Sequence, residues 1–270
     1  MTDFVTDDMN GHKKTGVMLV GHGTRDETGT QQFFELGERL AEAMGEMPVV
    51  ACLLEFQEPT IPQAWDQLVQ RGVQHVHVAP LLLFAAGHAK RDIPDLIAQC
   101  QKDSQNEVDV RARGNSPSIT CDQSGPLSRH ASIIELISQR ISKTCGDRNP
   151  ETTALVMVGR GSYDPCAQAD MRVLTAVVAA RNRFAHVATA FYAMAQPKLP
   201  DVLDRVAGLD GIETIVVQPH LLFEGRLYQA IKKQVAEAAE RSKAVNFLTG
   251  DYLGPEPQVA QAIIGRLERK

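Results

Sequence analysis

Three residues in the first half of the chain have the types and placement to hold a metal ion or move protons. His22 lies in Gly21-His22-Gly23-Thr24, Glu55 in Leu54-Glu55-Phe56, and His88 in Ala86-Gly87-His88-Ala89. Two imidazoles and a carboxylate are a ligand set for borderline divalent metals. An imidazole also titrates near neutral pH, which suits it to take up or return a proton. Singly, each residue has an ordinary explanation: a loop histidine packs or is solvated, Glu55 caps a helix starting near Thr60, and His88 opens a helix. Together they share a position, because each follows an apolar run. The glycines beside the two histidines let a large flat ligand approach the backbone. His12, His75, His77, His130 and His186 have no comparable setting, and His75 and His77 read as strand-edge residues. His220, directly after Pro219, carries no assignment.

The elements that must position this trio follow from the hydrophobic pattern. Gly16–Val20, Val49–Leu54 and Val76–Phe84 are short apolar runs that suit buried parallel strands. Helical spacing covers Thr30–Met44, with Phe33, Phe34, Leu36, Leu40 and Met44, and Ile61–Val69, with Pro62 in its first turn. Ala89–Cys100 is a predicted helix, Val108–Ala112 a weaker strand, and Ser132–Thr144 another helix. Alternating strands and helices predict an α/β fold with a parallel sheet covered on both faces. The order then recurs. Ala154–Gly159 mirrors Gly16–Gly21, Val187–Tyr192 mirrors Val50–Glu55, and Ile215–Phe223 mirrors His75–Phe84, with Pro80 matching Pro219. The shared Pro-x-Leu-Leu-Phe element argues for an internal duplication. This divides the chain into a disordered tail over 1–14, an N-terminal lobe over 15–145 and a C-terminal lobe over 152–270. Ligands of such open sheets bind at the C-terminal ends of the strands.

Composition narrows the function. The 270 residues are 43% hydrophobic and 23% charged, with a net charge of −5. That balance supports a globular core and speaks against a general nucleic-acid binder, which needs a basic surface. The five cysteines form no C-x-x-C pair, so neither a disulfide framework nor a structural zinc site is expected and a cytoplasmic setting fits. The polar start of the chain does not read as a signal peptide, and no run approaches the length of a membrane span. Gly21-His22-Gly23 gives only a fragment of a dinucleotide fingerprint, and no phosphate-binding loop accompanies it.

The segments Val20–Asp26, Leu54–Thr60 and Pro80–His88 resemble the sirohydrochlorin chelatases of the cobaltochelatase (CbiX) type, class II chelatases to which ferrochelatase is a distant relative. The resemblance extends over nearly the whole chain and is looser in the second half. It implies two flavodoxin-like lobes facing each other across a cleft. It also implies the substrate sirohydrochlorin, a tetrapyrrole with eight carboxylates, and insertion of Co²⁺ on a cobalamin route or Fe²⁺ on a siroheme route, with Ni²⁺ in some relatives. The family's two active-site histidines fall on His22 and His88 and its glutamate on Glu55, the catalytic and metal-binding set. In the second lobe Arg160 replaces the first histidine, Tyr192 aligns with Glu55, and Arg226 or Leu227 falls where His88 would be, so one active site per chain is expected.

On this reading His22 and His88 hold the metal or accept pyrrole protons, and Glu55 orients an imidazole or receives a proton. The metal is a substrate, and no tightly bound cofactor is expected. The stretch Ile264–Lys270 is neither His- nor Cys-rich, so no iron–sulfur cluster is assigned. The substrate's carboxylates call for cations, and Arg25, Lys90, Arg91, Arg160 and Arg226 lie on the expected cleft side. The alternatives are a ferrochelatase of the siroheme route and a non-catalytic tetrapyrrole or metal carrier, for which a proton-moving carboxylate has no use. Two lobes in one chain can complete a cleft that single-lobe relatives form by dimerising. This fits a monomer and leaves a homodimer open; neither nucleic acid nor membrane is an expected partner.

Overall fold

The computed structural model describes residues 13–84, 91–112 and 118–268, with backbone only over 106–112. His88 and Lys90, and most of the tail expected at 1–14, lie outside the described residues.

Among the described residues eight strands and eight helices alternate. In the first half these are β1 (Thr15–Gly21), α1 (Glu27–Met44), β2 (Val49–Leu53), α2 (Ile61–Gln70), β3 (His75–Pro80), α3 (Ile93–Ala112), β4 (Thr120–Gln123) and α4 (Ala131–Cys145). The second half repeats the series as β5 (Thr153–Gly159), α5 (Pro165–Arg181), β6 (His186–Phe191), α6 (Leu199–Ala207), β7 (Thr214–Pro219), α7 (Arg226–Arg241), β8 (Asn246–Thr249) and α8 (Pro257–Leu267). The strands form two parallel sheets, ordered β2-β1-β3-β4 and β6-β5-β7-β8. The central strands β1 and β5 are covered on both faces, which is why they read as unbroken apolar runs.

Side chains alternate across the first sheet. Met18, Val20, Val76 and Val78 point to one face, against Ile61, Trp65 and Leu68 of α2. Trp65 is fully buried and its indole N–H donates to Ser104 Oγ at 2.8 Å, so its one polar atom is satisfied. Val17 and Leu19 point the other way, into a core shared by both halves. There they join Phe33 and Leu36 of α1, Ile137 of α4 and Ile263 of α8. The helices cross over: α4 packs on β7 and β8 of the second sheet, and α8 on α1 and β3 of the first. Arg140 of α4 binds Glu256 at 2.5 Å and the Tyr252 carbonyl at 3.1 Å, adding polar contacts to this exchange.

Two sequence expectations need correction. The strand expected at Val108–Ala112 is the end of α3, and the fourth strand is Thr120–Gln123. Two valines at alternate positions suggested a strand, but the helix begun at Ile93 carries through them. The real strand, Thr-Cys-Asp-Gln, is polar and gives no hydrophobic signal. His75 opens β3, and His77 lies two residues into it, on a strand flanked by β1 and β4. The repeat register is also off by one residue at the second strand. Gly21 pairs with Leu53 and Gly159 with Phe191, so Glu55 corresponds to Ala193 and Leu54 to Tyr192.

Candidate active site

The sheet order reverses at β1, whose neighbours are β2 and β3, and an open α/β sheet forms its crevice at such a point. His22 is the first residue beyond β1. Its ring is half-buried, with Nδ1 out of contact with solvent. The ladder between β1 and β2 continues past both strands: Leu54 N–H donates to the Gly21 carbonyl at 2.9 Å and Glu55 N–H to the His22 carbonyl at 3.1 Å. The structure therefore brings His22 and Glu55 side by side on adjacent loops. Glu55 is exposed, although it follows an apolar run.

Gly23 makes the close approach geometrically feasible. Its φ is 92°, and an added Cβ would run into the Glu55 carbonyl oxygen. Thr24 Oγ1 then accepts from Asp26 N–H at 3.1 Å, and the Asp26 carboxylate caps α1 by accepting from Gly29 N–H at 2.9 Å. The loop is thus held at both ends, which fixes the backbone from which His22 projects.

Of the expected cations, Arg25 is exposed and its guanidinium stacks over Phe56, 5.1 Å from the ring centroid. Phe56 is itself 55% exposed and held at φ 72°, so an aromatic face and a cation stand together beside Glu55. Arg160 follows β5 as His22 follows β1, and it is exposed. Arg226 opens α7, and Arg91 lies just before α3; both are exposed. The loop before α7 reaches the first half. Glu224 N–H donates to Gln32 Oε1 at 2.9 Å, and Gln32 Nε2 donates to Tyr252 Oη at 2.7 Å. This tie sets the start of α7 against the start of α1, on the side where His22 stands. A separate groove of about 510 Å³ beside α2 is lined by Glu58 and Asp66 with Gln63, Gln67 and Gln70. Two carboxylates and no cation make it unsuited to an acidic ligand.

The chain belongs to the CbiX family. The family model matches it twice, over residues 16–144 and 154–270, one copy on each half of the repeat. Among its relatives is a sirohydrochlorin cobaltochelatase of Priestia megaterium, 28% identical over 96% of this chain and 81% of that protein. A sirohydrochlorin ferrochelatase of the same organism is 29% identical over 88% of this chain and 84% of its own. The structure of SirB from Bacillus subtilis with Fe³⁺ superposes with a TM-score of 0.79 at 28% identity, covering 94% of each chain. No helix among the described residues is long and apolar enough to cross a membrane.

Two features of the site region escaped sequence reasoning. Phe56 was passed over because a lone aromatic after a strand has no pattern of its own. His220 follows β7 as Leu81 follows β3, since its N–H bonds the Val158 carbonyl as that of Leu81 bonds Val20, both at 2.8 Å. It is completely buried, its Nε2 paired with Ser128 Oγ at 2.7 Å and its ring tilted against Phe84. Burial pushes its pKa down to about 3, so the ring is neutral.

Proposed function

We propose that this chain is a sirohydrochlorin chelatase that inserts a divalent metal, Co²⁺ in the first place, into the tetrapyrrole. The observation that carries the reading is the pairing of His22 with Glu55 through the Glu55 N–H to His22 carbonyl bond, at the head of the sheet in a CbiX-family fold. Insertion exchanges two pyrrole N–H protons for one M²⁺. His22 and His88 hold the incoming metal or take those protons, and Glu55 orients an imidazole or receives a proton on its way to solvent. A half-buried imidazole beside an exposed carboxylate suits a transient site, because a metal that is substrate must leave.

The cations have a separate task. Arg25, Lys90, Arg91, Arg160 and Arg226 are the cations assigned to bind the substrate's carboxylates, and Phe56 with Arg25 offers a flat surface for the macrocycle. The N-terminal lobe supplies the reaction chemistry and the C-terminal lobe completes the cleft, within a monomer working in the cytoplasm. Fe²⁺ is the alternative metal, since the ferrochelatase of Priestia megaterium is as similar as the cobaltochelatase.

The test is anaerobic incubation of the purified protein with sirohydrochlorin and each of Co²⁺, Fe²⁺ and Ni²⁺, following the absorbance change on metallation. The expected result is catalysed insertion, fastest with Co²⁺ and lost in His22→Ala. Tight binding of sirohydrochlorin with no metallation of any metal would instead make the protein a carrier.

A further inference from the structure

A second cluster of metal-ligating side chains lies well away from His22 and Glu55. His75 and His77, two residues apart on β3, point to one face of the sheet, and Asp122 stands opposite them on β4, paired with His77 in register. The two imidazoles are 4.7 Å apart, edge to face. His77 Nδ1 is 2.5 Å from Asp122 Oδ1, and His75 Nε2 is 3.4 Å from Oδ2. One ligand atom from each residue lies within 4.8 Å of the others. The side chains are 20%, 15% and 42% exposed, so the cluster is sheltered yet reachable from solvent.

We propose that His75, His77 and Asp122 form a second divalent-cation site, distinct from the site of insertion, that takes a borderline metal such as Co²⁺, Ni²⁺ or Zn²⁺. Three protein donors of N, N and O type, with a position left for water, are a recurring arrangement for these metals. Metal–ligand bonds of about 2.1 Å in tetrahedral geometry set the donors roughly 3.4 Å apart. The His75–Asp122 pair already has that spacing, and the His77–Asp122 pair opens to it when the cation replaces the shared proton.

His75 has a second partner besides Asp122. Its Nδ1 lies 2.7 Å from Thr120 Oγ1, and that hydroxyl is within 3.4 Å of the Gln74 carbonyl. When a cation takes the Nε2 lone pair, the proton moves to Nδ1, and Thr120 Oγ1 stands in place to accept the Nδ1–H, as the outer partner of a metal-bound imidazole does. Cys121 is excluded as a ligand, because it packs with the apolar side chains of the opposite face.

His77 pairs with Val17, low on β1, whereas His22 lies beyond its upper end, on the order of 15 Å away at about 3.3 Å per residue. The cation clips β3 to β4 and takes no part in insertion. The site stands independently of the chelatase reading.

The experiment is equilibrium dialysis of the full chain against excess Co²⁺ without sirohydrochlorin, in a His22→Ala background. That variant should bind one Co²⁺ per chain with a rise in melting temperature, and adding Asp122→Asn or His77→Gln should abolish both the binding and the rise. Far-UV circular dichroism identifies any variant that fails to fold, and the other substitution then gives the answer. Asp122→Asn alone should insert metal at the wild-type rate. The proposal is overturned if His22→Ala binds no Co²⁺, or if binding survives both Asp122→Asn and His77→Gln. Failure of the wild type to metallate sirohydrochlorin would sink the chelatase reading and leave this result standing.

Discussion

The loop after β1 and the loop after β5 share one backbone and carry different chemistry. Gly23 and Gly161 have φ of 92° and 89°, and Phe56 and Met194 have 72° and 55°. Leu54 N–H bonds the Gly21 carbonyl as Tyr192 N–H bonds that of Gly159, both at 2.9 Å. Thr24 and Ser162 each accept from the N–H of the helix-capping aspartate that follows, Asp26 and Asp164. On this common frame the first half mounts His22 and Glu55, and the second mounts Arg160 and Ala193. The frame is what the fold requires, and the side chains it presents are what function has changed. One loop presents an imidazole and a carboxylate, while the corresponding positions of the other hold a guanidinium and a methyl group.

The sharpest break in that comparison comes from the carboxylate. Glu55→Gln keeps the shape and removes the charge, and insertion should slow by about 10²-fold or more if the group handles a proton. Steady-state metallation kinetics read this directly, and an unchanged rate would leave Glu55 no different from Ala193. The glycines test the opposite half of the claim, that the frames are equivalent. Gly23→Ala and Gly161→Ala each force a Cβ against a carbonyl oxygen, of Glu55 and Ala193 respectively, at positive φ. Each should cost about 2 kcal/mol or more by urea denaturation, and the two by similar amounts.

Arg160→Ala should raise KM for sirohydrochlorin by about 10-fold and leave kcat near wild type, because a lost carboxylate contact made equally in ground and transition states weakens binding alone. A last contrast concerns His220, the counterpart of Leu81, whose effect vanishes at neutral pH and grows only on acidification. Its folded pKa, about 3, is depressed from the ordinary 6.5, so only the unfolded chain takes up this proton between those values. Stability is full above pH 6.5 and falls as the pH drops towards 3, with a slope of at most about 1.4 kcal/mol per pH unit from this group. Denaturation curves across that range should show a shallower slope in His220→Leu.

How much of this was legible in the sequence follows from where the signal resides. Parallel strands buried on both faces announce themselves as apolar runs, so β1, β3, β5 and β7 and the twofold repeat were readable. The polar strand β4 was not, because Thr120–Gln123 has no hydrophobic alternation. The exchange of α4 and α8 between the sheets was also invisible, since an amphipathic helix shows which of its faces is apolar but not which sheet it covers. His22 and Glu55 could be picked out because each follows an apolar run. Asp122 could not, because the strand that brings it to His75 and His77 was itself missed. The alternation of His75 and His77 put both on one face and was the available clue.

The division of labour between the two loops is tested most directly by single-turnover Co²⁺ insertion at saturating sirohydrochlorin, measured side by side in His22→Ala and Arg160→Ala. The account predicts that the first falls by about 10²–10⁴-fold while the second keeps the wild-type rate. Equal losses in the two variants, or a full rate in His22→Ala, would contradict it.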